Sequence, residues 1–233
     1  LVSVEQKTTP KTLSIQVLPD GFCVLIPDAS GKVDRQRITQ QDELLQWISS
    51  RPSKELTLKL IYTHPAAIVP EEVFSASHAS TYLKFHLEDW EQAAFTTIER
   101  LGLRIVFGSD NELERALSAT CQQLEISHSA HELFKRVLIG SNPSEVGIVS
   151  LFHPDHLEAV FHQGSELLAY NQFKIQGDLD ASYYLSLLQQ TADTPASAVI
   201  CYENGSEWGE RSVLHIKEWA PDTQYISEAF PFI

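Results

Sequence analysis

The stretch His153-Pro154-Asp155-His156-Leu157-Glu158-Ala159-Val160-Phe161-His162 gathers three imidazoles and two carboxylates in one short segment. Imidazole nitrogen and carboxylate oxygen together suit zinc and other divalent transition ions. Spacing argues against a single centre. Pro154 and Asp155 read as a turn between two strands, and side chains alternate across a strand, so a hairpin does not aim all three rings at one point. His156 and His162 share a parity; His153 precedes the turn. The expectation is a solvated, histidine-rich hairpin with no metal ligands.

Other residues with chemical potential give weaker patterns. His128 and His131 lie three apart, with Glu132 beside them, at a helix start where Ser127 or Ser129 reads as the cap. This is not a zinc-protease HExxH pattern. His64-Pro65 follows a strand and reads as a turn. The three cysteines, Cys23, Cys121 and Cys201, are far apart and match no zinc spacing. Cys23 and Cys201 fall inside apparent strands, where a packed, inert thiol is expected. No GxSxG, GxxxxGK[ST] or GxGxxG element occurs, so a hydrolase triad, a P-loop and a dinucleotide fingerprint all lack an anchor. No catalytic residue is assigned.

The elements that must hold these residues follow from periodicity and turn chemistry. Leu13–Leu18 alternates like a half-buried strand, Pro19-Asp20-Gly21 turns, and Phe22–Ile26 returns as a second strand. Val33–Ile38 reads as a third. Thr39 is the expected cap of a helix through Ile48, and Glu55–Tyr62 is a fourth strand. The same order recurs from Val146: strands over Val146–Phe152, His156–His162 and Leu167–Ile175, then a helix capped by Asp178 or Asp180. That helix is expected to bury Leu179, Tyr183 and Leu187. Ala196–Tyr202 completes the second set. Between the sets, strands are expected at Thr96–Leu101 and Leu103–Phe107, and helices at Ser80–His86, Asn111–Cys121 and Ser129–Ile139. Val69–Phe74 reads as a helix start, with Pro70 and two acids in its first turn. Beyond Tyr202, a helix over Ser206–Ala220 and a strand over Gln224–Ser227 are expected. Gly140–Ser144 is the best linker, which predicts an N-terminal lobe over 1–140 and a C-terminal lobe over 141–233.

Strand-strand-strand-helix-strand, used twice, resembles the plan of the actin-like ATPase superfamily. The segments Ile68–Phe74, Tyr170–Phe173 and Asp180–Leu185 also resemble an uncharacterised family of Bacteroides-type bacteria with that fold. More distantly the chain is similar to the actin-like scaffolds of pilus assembly and type II secretion. The resemblance implies an α/β fold of the duplicated ribonuclease H-like, actin-like kind, with two lobes, each a mixed sheet flanked by helices. It also implies phosphate binding between two hairpin turns, where bare N–H groups must come close to the ligand. The matching positions are Asp20 and Gly21 in the first turn, His153 and Asp155 in the second, Asp178 at a helix start and Gly205 in the adenosine-side loop. All three loops depart from the pattern. Pro19 has no N–H and Phe22 is bulky; the second turn has no glycine; the third, Glu203–Glu207, carries two acids. Two expectations follow: a degenerate nucleotide site without cofactor in a non-catalytic scaffold or regulator, or a divergent enzyme using ATP with magnesium.

Composition narrows the partners. The 233 residues carry a formal net charge of −14, and 43% are hydrophobic. That is enough apolar material for a core. An acidic surface repels a phosphate backbone and anionic lipid, so neither nucleic acid nor a lipid surface is an expected partner. No stretch approaches the roughly 18 apolar residues of a membrane helix. The free thiols suit a reducing, cytoplasmic setting. An unidentified protein, or a second copy of the chain, is left as the expected partner.

Overall fold

The computed structural model describes residues 11–28, 33–51, 56–84, 90, 92–140, 145–190, 196–203 and 208–229. They fall into two compact units. The first comprises residues 1–62 and 110–126; the second comprises residues 63–109 and 127–232. The expected lobe boundary after residue 140 lies within the second unit.

The first unit opens with an antiparallel meander, β1 (Lys11–Leu18), β2 (Gly21–Pro27) and β3 (Val33–Ile38). Helix α1 (Gln41–Ser49) follows, and β4 (Leu56–Tyr62) returns parallel to β1. β8 (Gln123–His128) lies beyond β4, giving the order β3-β2-β1-β4-β8. The sequence supports this directly. Leu13, Ile15, Val24, Leu58 and Leu60 are buried, and Leu44 and Ile48 of α1 lie on a single buried helical stripe. Gln40, not Thr39, is the N-cap of α1, and its side chain makes no capping bond. Helix α3 (Asn111–Ser118) is capped by Asp110, whose carboxylate accepts the N–H groups of Glu112 and Leu113.

The second unit contains a three-stranded sheet of order β5-β7-β6, built from β5 (Ala67–Pro70), β6 (Ala93–Ile98) and β7 (Leu103–Gly108). Helix α2 (Ala79–Lys84) packs on it through Ala79 and Leu83. The expected helix over Val69–Phe74 is instead the end of β5 and a 3-10 turn at Glu71–Val73. Helix α4 (Ser129–Gly140) leads to a five-stranded sheet. Its meander is β9 (Val146–Phe152), β10 (His156–Gln163) and β11 (Glu166–Lys174). After α5 (Asp178–Gln189), β12 (Ala198–Glu203) runs parallel to β9. Helix α6 (Gly209–Ile216) and β13 (Gln224–Ala229) complete the order β11-β10-β9-β12-β13.

The two five-stranded sheets share one topology. In each, the first strand of the meander is central, antiparallel to the second and parallel to the fourth. The duplication read from element order is therefore present in strand pairing. Among the described residues, no helix is long and apolar enough to cross a membrane.

Strand β10 is buried from His156 through His162 because both faces of its sheet are covered. Leu157, Ala159 and Phe161 join the core with Phe152, Ala181, Leu185, Leu188, Val213 and Ile216. The opposite face, carrying His156 and Glu158, meets α4. The expected solvated hairpin is thus corrected: His153 and Glu158 are both 0% exposed.

Helix α5 also differs from expectation. Its buried residues are Ala181, Leu185 and Leu188. Leu179, Tyr183 and Leu187 form the exposed row, at 61%, 63% and 43%. Two apolar stripes run along this helix, so periodicity alone does not choose which one the sheet covers. Neither expected acid caps it. Gly177 is the N-cap, Asp178 opens the first turn, and the Asp180 carboxylate reaches back to accept the Gln176 N–H at 2.7 Å.

A buried histidine and glutamate centre at the β9–β10 turn

The turn between β9 and β10 folds two imidazoles inward. The His153 N–H donates to the His156 carbonyl at 2.8 Å, which closes the turn. The two rings stack at 4.2 Å with an interplanar angle of 8°. Both rings point their Nε2 atoms at Glu158. Oε1 of Glu158 lies 3.6 Å from His153 Nε2 and 3.8 Å from His156 Nε2. The ligand atoms of this trio all fall within 4.8 Å of one another.

A carboxylate enclosed by protein is costly unless it is bonded and paired. Glu158 has both kinds of support. Ser129 Oγ, at the start of α4, donates to Oε1 at 2.7 Å, and Gln172 Nε2, on β11, donates at 3.1 Å. Gln172 also accepts the Ala66 N–H at 2.9 Å, tying the segment before β5 to the centre. Burial works against the charge on Glu158, but the neighbouring histidines outweigh it and hold its pKa well below the usual range.

The two stacked histidines are driven apart electrostatically. Burial disfavours a charge on His156, yet Asp155 and Glu158 overcome it and raise its pKa to about 9. Asp155 Oδ1 accepts from His156 Nδ1 at 2.8 Å. Burial and the adjacent His156 charge lower His153 to about 4. The two shifts run in opposite directions, so the charged form is favoured on His156 and disfavoured on His153, as like charges in contact require.

A second pair of histidines lies in the same unit. His128 Nδ1 accepts the Ala130 N–H at 3.0 Å, so its proton sits on Nε2, which donates to the His64 carbonyl at 2.7 Å. His64 Nε2 in turn donates to the Gly108 carbonyl at 3.0 Å, and its ring stacks on Trp90 at 4.3 Å. Burial lowers both pKa values, His64 to about 3. The expected serine cap of α4 is corrected here. The His128 ring takes the helix N–H, while Ser127 donates to Glu132 at 2.9 Å and Ser129 donates to Glu158.

His162 stands apart from the centre. It lies six residues along the strand from His156, or roughly 20 Å. A bulge between Phe161 and His162 shifts the register, and Nδ1 donates to the Gly164 carbonyl at 2.9 Å. Its ring covers Gly147, where a Cβ would stand 2.9 Å from Nε2. The thiols are inert by burial: Cys201 is pushed up to about 12, and Cys23 is also raised.

The six positions singled out for a nucleotide are distributed as follows. Asp20 is exposed at the β1–β2 turn and pairs with Arg37. Gly21 opens β2 with φ +137°, and a Cβ there would stand 2.5 Å from the Ile38 carbonyl oxygen. His153 is in the buried centre and Asp155 at its rim, bonded to His156. Asp178 is at the start of α5. Gly205 lies outside the described residues. The structure joins His153 and Asp155 through His156. It draws in Glu158, already singled out beside the histidines, and adds Ser129 and Gln172, which no local pattern marks.

Comparison with solved structures defines the class: this is an actin-like ATPase fold. A Bacteroides thetaiotaomicron VPI-5482 protein with actin-like ATPase fold and unknown function aligns with a TM-score of 0.71 at 15% identity, over 97% of this chain and 94% of that one. The PilM–PilN type IV pilus biogenesis complex gives 0.52 at 10% identity, over 94% and 89%. Ethanolamine utilization protein EutJ from Carboxydothermus hydrogenoformans gives 0.50 at 7%, over 95% and 86%. The chain belongs to the family described as "Protein of unknown function (DUF3822)", which matches residues 3–194. No curated protein matches it.

Proposed function

We propose that this protein is a non-catalytic, cytoplasmic member of the actin-like fold that acts through protein contacts as a scaffold or regulator. The observation that carries the reading is the condition of the two hairpin tips. Phosphate binding in such a turn needs free backbone N–H groups and a close approach. In the first tip Pro19 has no N–H, Asp20 is engaged by Arg37, and the Cβ side of Gly21 faces the Ile38 carbonyl. In the second tip the His153 N–H is spent on His156, and the Asp155 carboxylate is bonded to the His156 ring. These residues do not fit a triphosphate with magnesium, and no hydrolytic step is derived from them.

The contact half of the reading rests on α5. Leu179, Tyr183 and Leu187 stand one turn apart and exposed, an apolar row of the kind that partner helices and strands cover. The PilM–PilN neighbour is itself a protein complex, which agrees with this use of the fold.

The test combines phosphate release with a thermal-shift titration. A nucleotide at 100 times its Kd would add about 2.7 kcal/mol of stability. The expected result is no turnover and no shift with ATP and magnesium. A magnesium-dependent shift or sustained hydrolysis favours the divergent enzyme instead. Replacing Leu179, Tyr183 and Leu187 together by Asp is expected to leave the melting temperature nearly unchanged; unfolding of that variant would remove the contact surface from the account.

A further inference from the structure

We propose that His153, His156 and Glu158 form a binding site for one divalent first-row transition ion, zinc being the probe. The inference is independent of whether either hairpin tip holds a nucleotide. Geometry is the first argument. An ion bonded at about 2.0–2.2 Å to nitrogen and oxygen sets tetrahedral ligands about 3.3–3.6 Å apart. The observed Nε2–Oε1 separations of 3.6 and 3.8 Å are near this range, and the two stacked rings splay apart on binding so that both Nε2 lone pairs converge on the ion.

The surrounding shell is the second argument. Metal-ligating histidines donate their other ring N–H to a carboxylate or carbonyl, which fixes the tautomer and aims the ligand nitrogen. Asp155 does this for His156: Nδ1 donates to Oδ1 at 2.8 Å, and Nε2 faces Glu158 and releases its proton when the ion binds. Ser129 and Gln172 hold Glu158 in the same way. Among the described residues, His156 Nε2 and Glu158 Oε2 are buried without a hydrogen-bond partner. An ion gives His156 Nε2 the partner that burial otherwise denies it, and a bidentate Glu158 extends this to Oε2.

Charge and donor type are the third. Glu158 and Asp155 together balance a divalent ion, and two imidazoles with one carboxylate suit a transition ion better than magnesium or calcium, which favour oxygen. Such an ion would pin the β9–β10 turn to the strand that follows it.

The experiment uses the full chain, treated with chelator and dialysed, then titrated calorimetrically with zinc, cobalt, anaerobic ferrous iron and magnesium salts. The expected result is one zinc, cobalt or ferrous ion per chain with a raised melting temperature, and no magnesium binding. Glu158→Gln removes zinc binding. Asp155→Asn weakens it by about 10–100-fold, the usual loss on removing an outer-shell partner. His215→Gln, a change on the partly exposed α6 histidine, leaves it unchanged. X-ray absorption at the zinc edge shows two imidazoles at about 2.0–2.1 Å. If Glu158→Gln does not fold, Asp155→Asn decides, because that side chain is 51% exposed. The proposal is overturned if none of the transition ions binds, if magnesium binds as well as zinc, or if Asp155→Asn binds zinc like the unmodified chain.

Discussion

Ser129 Oγ, at the first residue of α4, donates a 2.7 Å hydrogen bond to Oε1 of Glu158 in the middle of β10. Both side chains are 0% exposed, so this bond joins helix to sheet where water does not compete. A hydrogen bond to a buried charged group contributes about 1.5–3 kcal/mol. Ser129→Ala is expected to lower unfolding stability by that amount in a urea titration, with the slope unchanged. A loss below about 0.5 kcal/mol, the range of an ordinary surface change, would mean that Glu158 is neutral or solvated.

Acid should destabilise this chain before the carboxylates titrate. His64 is folded as the neutral ring, with its pKa lowered by burial to about 3, against about 6.5 in an unfolded chain. Between those values the unfolded state binds a proton that the folded state refuses, so stability falls as pH drops from 6.5 toward 3. His128 is lowered by burial too and adds the same sign. His64→Gln should flatten the stability–pH curve in this window by up to about 1.4 kcal/mol per pH unit. Urea midpoints measured from pH 7 down to pH 4 check this; parallel curves for the two proteins would contradict it.

Gly21 is required by the hairpin itself. Its φ of +137° is one that side chains rarely adopt, and a Cβ would meet the Ile38 carbonyl oxygen at 2.5 Å and Thr39 Cα at 2.9 Å. Gly21→Ala is therefore expected to cost roughly 1–3 kcal/mol in the absence of any nucleotide. Equal thermal stability of the two proteins would show that the glycine is there for another reason.

Much of the fold could be read from alternation and turns. Pro19-Asp20-Gly21 and Pro154-Asp155 mark the two hairpins, and the repeated strand-strand-strand-helix-strand order is the topology found in both sheets. Strand β8 was not legible, because Gln123–His128 offers only Leu124 and Ile126 as alternating apolar residues. The buried face of α5 was not legible either: Leu179, Tyr183 and Leu187 are as apolar as the row the sheet covers. The centre at β10 was half visible. The residues are adjacent in sequence, but their burial depends on α4 closing over the strand, a tertiary event that histidine and glutamate in an alternating segment do not announce. His128 shows the same limit, since an imidazole capping a helix N–H is set by His64 and not by the local pattern.

Under the proposed function, neither hairpin tip holds a triphosphate. Equilibrium dialysis of the full chain against labelled ATP with magnesium, at nucleotide concentrations spanning the micromolar to millimolar range, decides the question. The expected result is equal label on both sides of the membrane at every concentration. Saturable retention approaching one nucleotide per chain, lost when magnesium is withdrawn, would contradict it.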